Sequence, residues 1–293
     1  MPESAEIRTL ATERFVEFDG LRVRFLHAGH GPALVLVHGL LGYSFSWRFA
    51  IPILTREREV FAVDMPGSGF SDCSAGLDCH LGSAAKRLSR FLDAVGIDQC
   101  DLVGSSYGGT TALKLASCEP ERIRTLTLVS PANPWSRIGR KRLAALRLRG
   151  ISWTFPKIAR PMRWLHGYFV RRMYGDPARI APDTIHGYSL PLASSKVLDH
   201  AVKITASWRE DMRSLQEEIG KASTIPTLLI WGGKDRLIEI ASADPLSRNF
   251  ETAKTIVLPG LGHLPYEEAP QEFCPPLLDF LKAYSPAKPT GGK

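Results

Sequence analysis

Long apolar runs are missing from this 293-residue sequence, which removes the usual signs of a membrane or secreted protein. No stretch approaches the ~20 consecutive apolar residues that a helix needs to cross a bilayer. The N-terminal residues are polar and acidic, and no apolar core of a signal peptide follows them. We therefore expect a cytoplasmic protein without a membrane-spanning helix.

Cysteine is scarce and irregularly spaced. The five cysteines are odd in number and show none of the spacings of zinc sites or disulfide-rich domains. The sequence therefore predicts reduced thiols and no metal site. Most of the histidines also lack a partner at metal-ligand spacing; these are His27, His30, His80, His166, His186 and His200.

Acidic residues are nearly absent from one segment, which concentrates the basic charge there. The formal net charge is +7, but residues 133–179 contain twelve basic residues and one acid, so that segment carries +11 and the rest −4. One interpretation is a solvated face of short helices whose Arg stems cover apolar surface. The other is attraction of an anionic substrate, or peripheral contact with a lipid surface through a basic amphipathic helix at 140–149. No nucleic-acid recognition module accompanies the charge, so nucleic acid binding is not expected.

Apolar runs alternate with helical patterns along most of the chain. The run at 33–37 is continuously apolar, and those at 59–63, 124–129 and 227–231 are mostly so, as in strands that are covered on both faces. Asp19-Gly20 between alternating residues predicts a hairpin. The alternation predicts an α/β protein with a mostly parallel, doubly wound sheet of about eight strands and helices on both faces.

This alternation stops between residues 134 and 207, where prolines interrupt short helical patterns and no parallel-strand pattern occurs. We interpret 134–207 as a helical cap inserted into one core, which comprises 1–133 and 208–285. The polar residues 286–293 are predicted to be a disordered tail.

Residues 101–115 place a serine between glycines, directly after an apolar run and directly before a helical pattern. The sequence Gly104-Ser105-Ser106-Tyr107-Gly108 fits a nucleophile elbow, in which Ser106 stands exposed on a sharp strand-to-helix turn. Small residues are needed on both sides of such a turn because a Cβ there would clash with its neighbours. The N–H of Tyr107 then points from a helix N-terminus toward a developing oxyanion. The pentapeptide alone is also compatible with a non-catalytic Gly-Ser loop.

Three further groups follow predicted strands. Asp235 and His263 come after the last two strands, and His38-Gly39 ends an earlier one, so that the N–H of Leu40 is a second candidate oxyanion donor. The carboxyl ends of parallel strands share one edge of a sheet, so we expect Ser106, Asp235 and His263 to converge there as nucleophile, orienting acid and base.

These landmarks resemble the α/β-hydrolase family over residues ~14–283. The resemblance implies the fold, the triad and the two oxyanion donors named above. It also implies that Asp64 and Asp72 belong to a structural turn and are not catalytic. The matching segments are His38-Gly39-Leu40-Leu41-Gly42, Asp64–Ser71, Gly104–Gly109, Gly233-Lys234-Asp235 and Gly262-His263.

The branch of the family is inferred from residues at and near the nucleophile, where this sequence differs from several known branches. Epoxide hydrolases and haloalkane dehalogenases carry Asp where this chain has Ser106. Carbon–carbon bond hydrolases usually carry Asn before the nucleophile, where Ser105 stands here, and a Gly-Pro-Gly loop, where Leu41-Gly42-Tyr43 stands. Perhydrolases usually carry Met at the position of Tyr107.

The resemblance therefore implies a carboxylesterase or lipase-like serine hydrolase, which acts on a small-molecule ester without a metal or organic cofactor. Two alternatives stay open: a carbon–carbon bond hydrolase of vinylogous diketones, and a ligand-binding protein with weak turnover. Acyl chain length and oligomeric state are not determined.

The remaining site residues are predicted from position alone. Gly39, Trp47 and Trp135 are expected to bind substrate, although Trp47 is equally suited to packing beneath the oxyanion loop. Glu267 and Glu268 are interpreted as the start of a surface helix, where negative charge is favoured, rather than as a substitute acid.

Overall fold

The computed structural model describes residues 11–74, 76–137 and 163–284. Within these ranges, eight strands form one sheet. In chain order they are β1 (Thr12–Phe18), β2 (Leu21–Ala28), β3 (Ala33–Val37), β4 (Glu59–Val63), β5 (Cys100–Ser105), β6 (Ile123–Val129), β7 (Thr227–Gly232) and β8 (Ala253–Leu258).

The α-helices of the described ranges flank this sheet or belong to the segment between β6 and β7. They are α1 (Ile51–Leu54), α2 (Leu81–Ala94), α3 (Tyr107–Cys118), α4 (Arg163–Met173), α5 (Thr184–Ser189), α6 (Ser195–Glu218), α7 (Ala243–Ser247), α8 (Pro265–Glu268) and α9 (Pro270–Ala283). Short 3₁₀ turns precede α1 (Ser44–Trp47) and α7 (Ile240–Ser242).

The sheet has the order β1-β2-β4-β3-β5-β6-β7-β8 and is parallel from β4 to β8. Only β1/β2 and β2/β4 pair antiparallel. Asp19 and Gly20 both have positive φ, of 50° and 71°, as a two-residue hairpin turn requires. The predicted α/β class and the mostly parallel sheet are confirmed.

The central strands are buried because an apolar cluster covers each of the two faces of the sheet. Along β5, Leu102 belongs to the cluster beneath α2 and α3, whereas Val103 belongs to the cluster beneath α1 and α9. All six residues of β5 are buried. Alternate side chains of a strand point to opposite faces, so a strand that is covered twice must be apolar throughout.

The described part of the segment between β6 and β7 is helical and contains no strand. Its long helix α6 continues through the predicted cap boundary at residue 207. Near its start, Val197 and Leu198 pack in a small apolar cluster with Leu192; near its end, Met212 and Leu215 pack in the sheet core. The boundary at 207 therefore falls inside one continuous element. The basic stretch 140–149 and the predicted tail 286–293 lie outside the described residues.

Asp64, after β4, has a structural place in this fold. Its buried carboxylate accepts the backbone N–H groups of Ser44 at 2.8 Å and Phe70 at 3.0 Å, and pairs with the buried guanidinium of Arg24 at 3.2 Å. These bonds close the loop between β4 and the residues that precede α2. No helix of the described ranges has the length and apolarity needed to cross a bilayer.

Asp101 provides a stability test at the start of β5, the end of the strand remote from Ser106. Its fully buried carboxylate accepts two bonds from Arg124, at 2.9 and 2.8 Å, and one from Thr125 at 2.8 Å. In Asp101→Asn the guanidinium loses its charged partner, so we expect the free energy of unfolding to fall by about 3 kcal/mol. Urea denaturation measures it, and a loss below about 1 kcal/mol, as for a surface pair, contradicts the expectation.

Candidate active site

Ser106 joins β5 to α3 in a strained backbone conformation, with φ 53° and ψ −118°. The turn is tight because α3 begins against the end of β3. A Cβ on Gly108 would lie 2.2 Å from the carbonyl oxygen of His38, and one on Gly104 would lie 2.4 Å from that of Gly108. Glycine at both positions therefore permits the close approach that presents Ser106 at the edge of the sheet.

Asp235 and His263 form a buried pair at the same edge. The Nδ1 of His263 lies 2.8 Å from the Oδ2 of Asp235, and the two side chains are 4% and 2% exposed. The other carboxylate oxygen accepts the N–H groups of Leu237 at 2.7 Å and Ile238 at 3.0 Å. With Nδ1–H directed to Asp235, the Nε2 of a neutral His263 is left to accept a proton.

Opposing effects act on the pKa of Asp235. Burial by itself raises it, but the imidazole of His263 and the N–H groups of Ile238 and Leu237 outweigh burial and leave the pKa below its ordinary value. Asp235 therefore stays ionised at neutral pH, where it can orient the ring of His263 and stabilise an imidazolium.

Hydrogen bonds fix the loop after β3, which contains Leu40, the second candidate oxyanion donor. The carbonyl of Gly39 accepts the N–H of Gly42 at 3.0 Å and lies 2.8 Å from the Nδ1 of His38. The Nε2 of His38 accepts the N–H of Met65 at 3.0 Å, so Nδ1 carries the proton that is donated to Gly39. In a trans peptide the N–H points away from the C=O, so the N–H of Leu40 faces away from these partners.

His38 is a hydrogen-bonded loop residue in this arrangement. Burial lowers its pKa, against smaller opposing effects of the Gly39 carbonyl and Asp64. A neutral, doubly hydrogen-bonded ring therefore holds the loop that contains Leu40 in place.

One cavity of about 330 Å³ brings the catalytic candidates together. Ser106, His263, Gly39 and Leu40 all line it, and Asp235 lies behind His263. Tyr107 contributes its backbone at the start of α3, while its side chain points elsewhere and meets Trp208 at a ring distance of 6.2 Å. Three strand ends and the elbow therefore converge as the sequence indicated.

The rest of the cavity wall is mostly apolar and comes largely from the segment between β6 and β7, which was predicted to be a cap. Among the described residues, no Lys, Arg, Asp or Glu side chain lines it, and no cluster of His, Cys, Asp and Glu that could hold a metal occurs. The cap contributes Phe169, Val170, Met173, Leu192, Leu198, Ala201 and Val202 to this wall.

The structure places Trp47 in the packing role that the sequence also allowed, and not in the cavity wall. This side chain is fully buried and stacks on Tyr266 at a ring distance of 3.8 Å, so that Tyr266 lines the cavity and Trp47 lies behind it. Trp135 is also not a lining residue, since it packs half-buried against the core cluster beneath α2 and α3. Gly39 does line the cavity, and a Cβ there would lie 3.1 Å from the Cβ of Ser106.

The prediction that Glu267 lies on the surface, at the start of a helix, is wrong. Glu267 is buried and forms an ion pair with the buried guanidinium of Arg48, and its other oxygen accepts the hydroxyl of Tyr188 at 2.5 Å. Arg48 also donates to Thr184 of α5 at 2.7 Å, so this network ties the cap to the core. Burial alone lowers the pKa of Arg48, but the carboxylate of Glu267 raises it above its ordinary value.

Glu268 is buried too, and it accepts only backbone N–H groups in the bonds that the structure shows. One comes from Gly262, the residue before His263, and two come from Gly175 and Asp176, which follow α4. No sequence pattern marked either glutamate as buried, because two adjacent acids beside Pro265 also fit an exposed helix start.

Comparison with known proteins places this geometry in a family. The sequence profile described as alpha/beta hydrolase fold matches residues 32–270. A 2-hydroxy-6-oxo-2,4-heptadienoate hydrolase of Pseudomonas putida is 29% identical over 281 residues, which span 92% of this chain and 96% of the relative.

One further relative and one solved structure are also similar to this chain. The dihydrolipoyllysine-residue acetyltransferase component of an acetoin cleaving system of Pseudomonas putida is 28% identical over 277 residues, spanning 92% of this chain and 69% of the relative. The crystal structure of a membrane phospholipase A matches with a TM-score of 0.78 at 25% identity, covering 97% of this chain and 91% of the other.

The strain at Ser106 is measurable as stability. Glycine adopts positive φ without a Cβ penalty, so Ser106→Gly should have a free energy of unfolding about 1 kcal/mol higher than Ser106→Ala. Chemical denaturation of the two variants measures this difference. The matched control is position 105, because Ser105 lies inside β5 without a positive φ. There the glycine variant should have a lower free energy of unfolding than the alanine variant. Equal stabilities of Ser106→Gly and Ser106→Ala would contradict the assignment of strain.

Proposed function

We propose that this chain, which belongs to the alpha/beta hydrolase fold family, hydrolyses neutral carboxylic esters with Ser106 as the nucleophile. The family and the relatives support a hydrolase; the bond that is cleaved is the proposal. One observation carries it: Ser106 and the Asp235-paired His263 face a single cavity whose described wall is apolar and uncharged.

The chemistry follows from the roles of these groups. The Oγ of Ser106 attacks the ester carbonyl carbon while the Nε2 of His263 takes its proton. The backbone N–H groups of Leu40 and Tyr107 stabilise the oxyanion that forms. Collapse of this intermediate breaks the bond to the alcohol. The alcohol leaves with the proton of His263, and the acyl group stays on Ser106. Water, deprotonated by His263, then releases the carboxylic acid by the reverse roles.

The uncharged wall favours neutral substrates. An ionised carboxylate within this cavity would lose its hydration without gaining a Lys or Arg partner among the described residues, which costs several kcal/mol. An aliphatic acyl chain instead gains from contact with side chains such as Val170, Met173 and Leu198. A volume of about 330 Å³ lies at the lower end of small-molecule sites, so short and medium acyl groups fit best.

A second candidate is hydrolysis of a carbon–carbon bond, which the likeness to the 2-hydroxy-6-oxo-2,4-heptadienoate hydrolase favours. A dienoate carries a carboxylate, and the described cavity wall offers no Lys or Arg to hold it. Ser105 stands where such enzymes usually carry Asn. The ester reading therefore agrees better with the site itself.

A panel of p-nitrophenyl esters from acetate to palmitate tests the proposal. We expect turnover with an optimum at short to medium chains, since the longest chains exceed the cavity. Ser106→Ala should reduce kcat by at least about 10³-fold, because the covalent step is lost. Release of p-nitrophenol measures both. The proposal fails if no ester is cleaved, or if Ser106→Ala retains the activity of the wild type.

A matched pair of substrates tests the neutral cavity. p-Nitrophenyl valerate and the p-nitrophenyl monoester of glutaric acid have five-carbon acyl groups that differ by a terminal carboxylate. We expect kcat/KM to be about 100-fold lower for the glutarate, equivalent to nearly 3 kcal/mol for burying an unpaired charge. Comparable values would contradict the neutral preference. Faster turnover of a 2-hydroxy-6-oxo-dienoate than of any ester would select carbon–carbon bond hydrolysis instead.

A further inference from the structure

The buried carboxylate of Glu268 connects two segments that are remote in sequence. Its Oε2 accepts the N–H of Gly262 at 2.7 Å and that of Gly175 at 3.0 Å, while its Oε1 accepts the N–H of Asp176 at 2.8 Å. Gly262 immediately precedes His263, whereas Gly175 and Asp176 follow the cap helix α4. One side chain therefore holds the loop of the candidate base and the exit of the cap helix together.

The same two segments also touch directly. The N–H of His263 donates to the carbonyl oxygen of Met173 at 2.6 Å. A Cβ on Gly262 would lie 2.3 Å from the backbone nitrogen of Gly175, and one on Gly175 would lie 2.7 Å from the carbonyl oxygen of Gly260. The two backbones pack so closely that glycine is needed on both sides. The close contact between the two backbones and the hydrogen bonds of Glu268 therefore constrain the same short stretch of chain, the one that leads into His263.

A carboxylate suits this position because it only accepts hydrogen bonds. Its two oxygens serve three N–H groups, and those of Gly175 and Gly262 are buried, so they would be costly to leave without partners. An amide of the same shape would turn its NH₂ group toward one of these donors. The site thus distinguishes glutamate from glutamine by charge and by hydrogen-bond direction, at nearly constant volume.

We propose that Glu268 is a positioning residue for the general base: it sets the place of His263 relative to Ser106 and to the cap wall of the cavity. This inference rests on the proposed function. Met173 and Val170 of α4 line the cavity, so the bonds from Glu268 to the exit of α4 also locate the surface on which the substrate lies. Because proton transfer requires hydrogen-bond distance, a displacement of His263 of about 1 Å lowers the rate by up to about 10²-fold.

Glu268→Gln tests this role against a merely structural one. We expect the variant to fold, with kcat on the best ester lowered about tenfold or more and KM changed less than about threefold. The matched control is Asp101→Asn, which also removes a buried, multiply bonded carboxylate, but at the opposite end of β5. That variant should lose stability and keep kcat once rates are normalised to the folded fraction.

A second readout does not depend on turnover. The Nδ1–H proton of His263, hydrogen-bonded to Asp235, should give a low-field proton resonance that His263→Ala lacks. This resonance should shift or broaden in Glu268→Gln and stay unchanged in Asp101→Asn. If the wild type cleaves no ester, the proposed function fails, but the resonance still reports whether Glu268 positions His263.

The inference is overturned by any of three results. The first is a folded Glu268→Gln with wild-type kcat and an unchanged resonance. The second is a loss of kcat that follows only the folded fraction, as in Asp101→Asn. The third is failure of both Glu268→Gln and Glu268→Asp to fold while Asp101→Asn folds, since Glu268 would then be a determinant of the fold alone. In folded Glu268→Asp, which keeps the charge but shortens the reach, partial recovery of kcat supports the role.

Discussion

The contact between the start of α3 and the end of β3 is the constraint on which the site depends. It requires Gly108 to lie against the carbonyl of His38, and it leaves Ser106 at a positive φ that serine rarely adopts. Because the helix starts directly at this point, the N–H of Tyr107 is available at its N-terminus, and the oxyanion loop that begins at Gly39 lies beside the nucleophile. The local cost of strain is offset by the packing of the sheet around it.

Buried charge joins the cap to the core on the far side of the cavity. Glu267 pairs with Arg48, and Glu268 accepts backbone N–H groups from both the cap and the loop of His263. Groups of this kind are costly to desolvate, and the hydrogen bonds to the carboxylates of Glu267 and Glu268 offset part of that cost. They specify one arrangement of the two parts more sharply than apolar contacts do, since a shifted arrangement leaves a charge unpaired. The apolar cavity wall and the buried charged groups beside it are thus separate layers of the structure.

The sequence predicted the sheet and the strand-to-helix turn at Ser106 because these depend on local rules. Continuous apolar runs identify strands that are covered twice, and β3 and β4 have the bounds that these runs predicted. Glycines two residues on either side of Ser106 reflect a steric need that no other residue meets. Asp235 and His263 follow strands of a parallel sheet, so their convergence is a consequence of topology rather than of their neighbours in sequence.

Which side chains face the cavity was decided only by the tertiary structure. Trp47 and Tyr266 are both aromatic and both buried, yet one is stacked behind the other, and their order depends on how the segment after β3 meets α8. The cap residues Val170 and Met173 have the helical spacing of any core-facing stripe, which cannot tell a cavity wall from a packed interior. Glu267 and Glu268 could be recognised as buried only once their distant partners were in place. The type and bounds of one element follow from its own residues. Whether a side chain faces a cavity or the core depends on which other element packs against it, and only folding decides that.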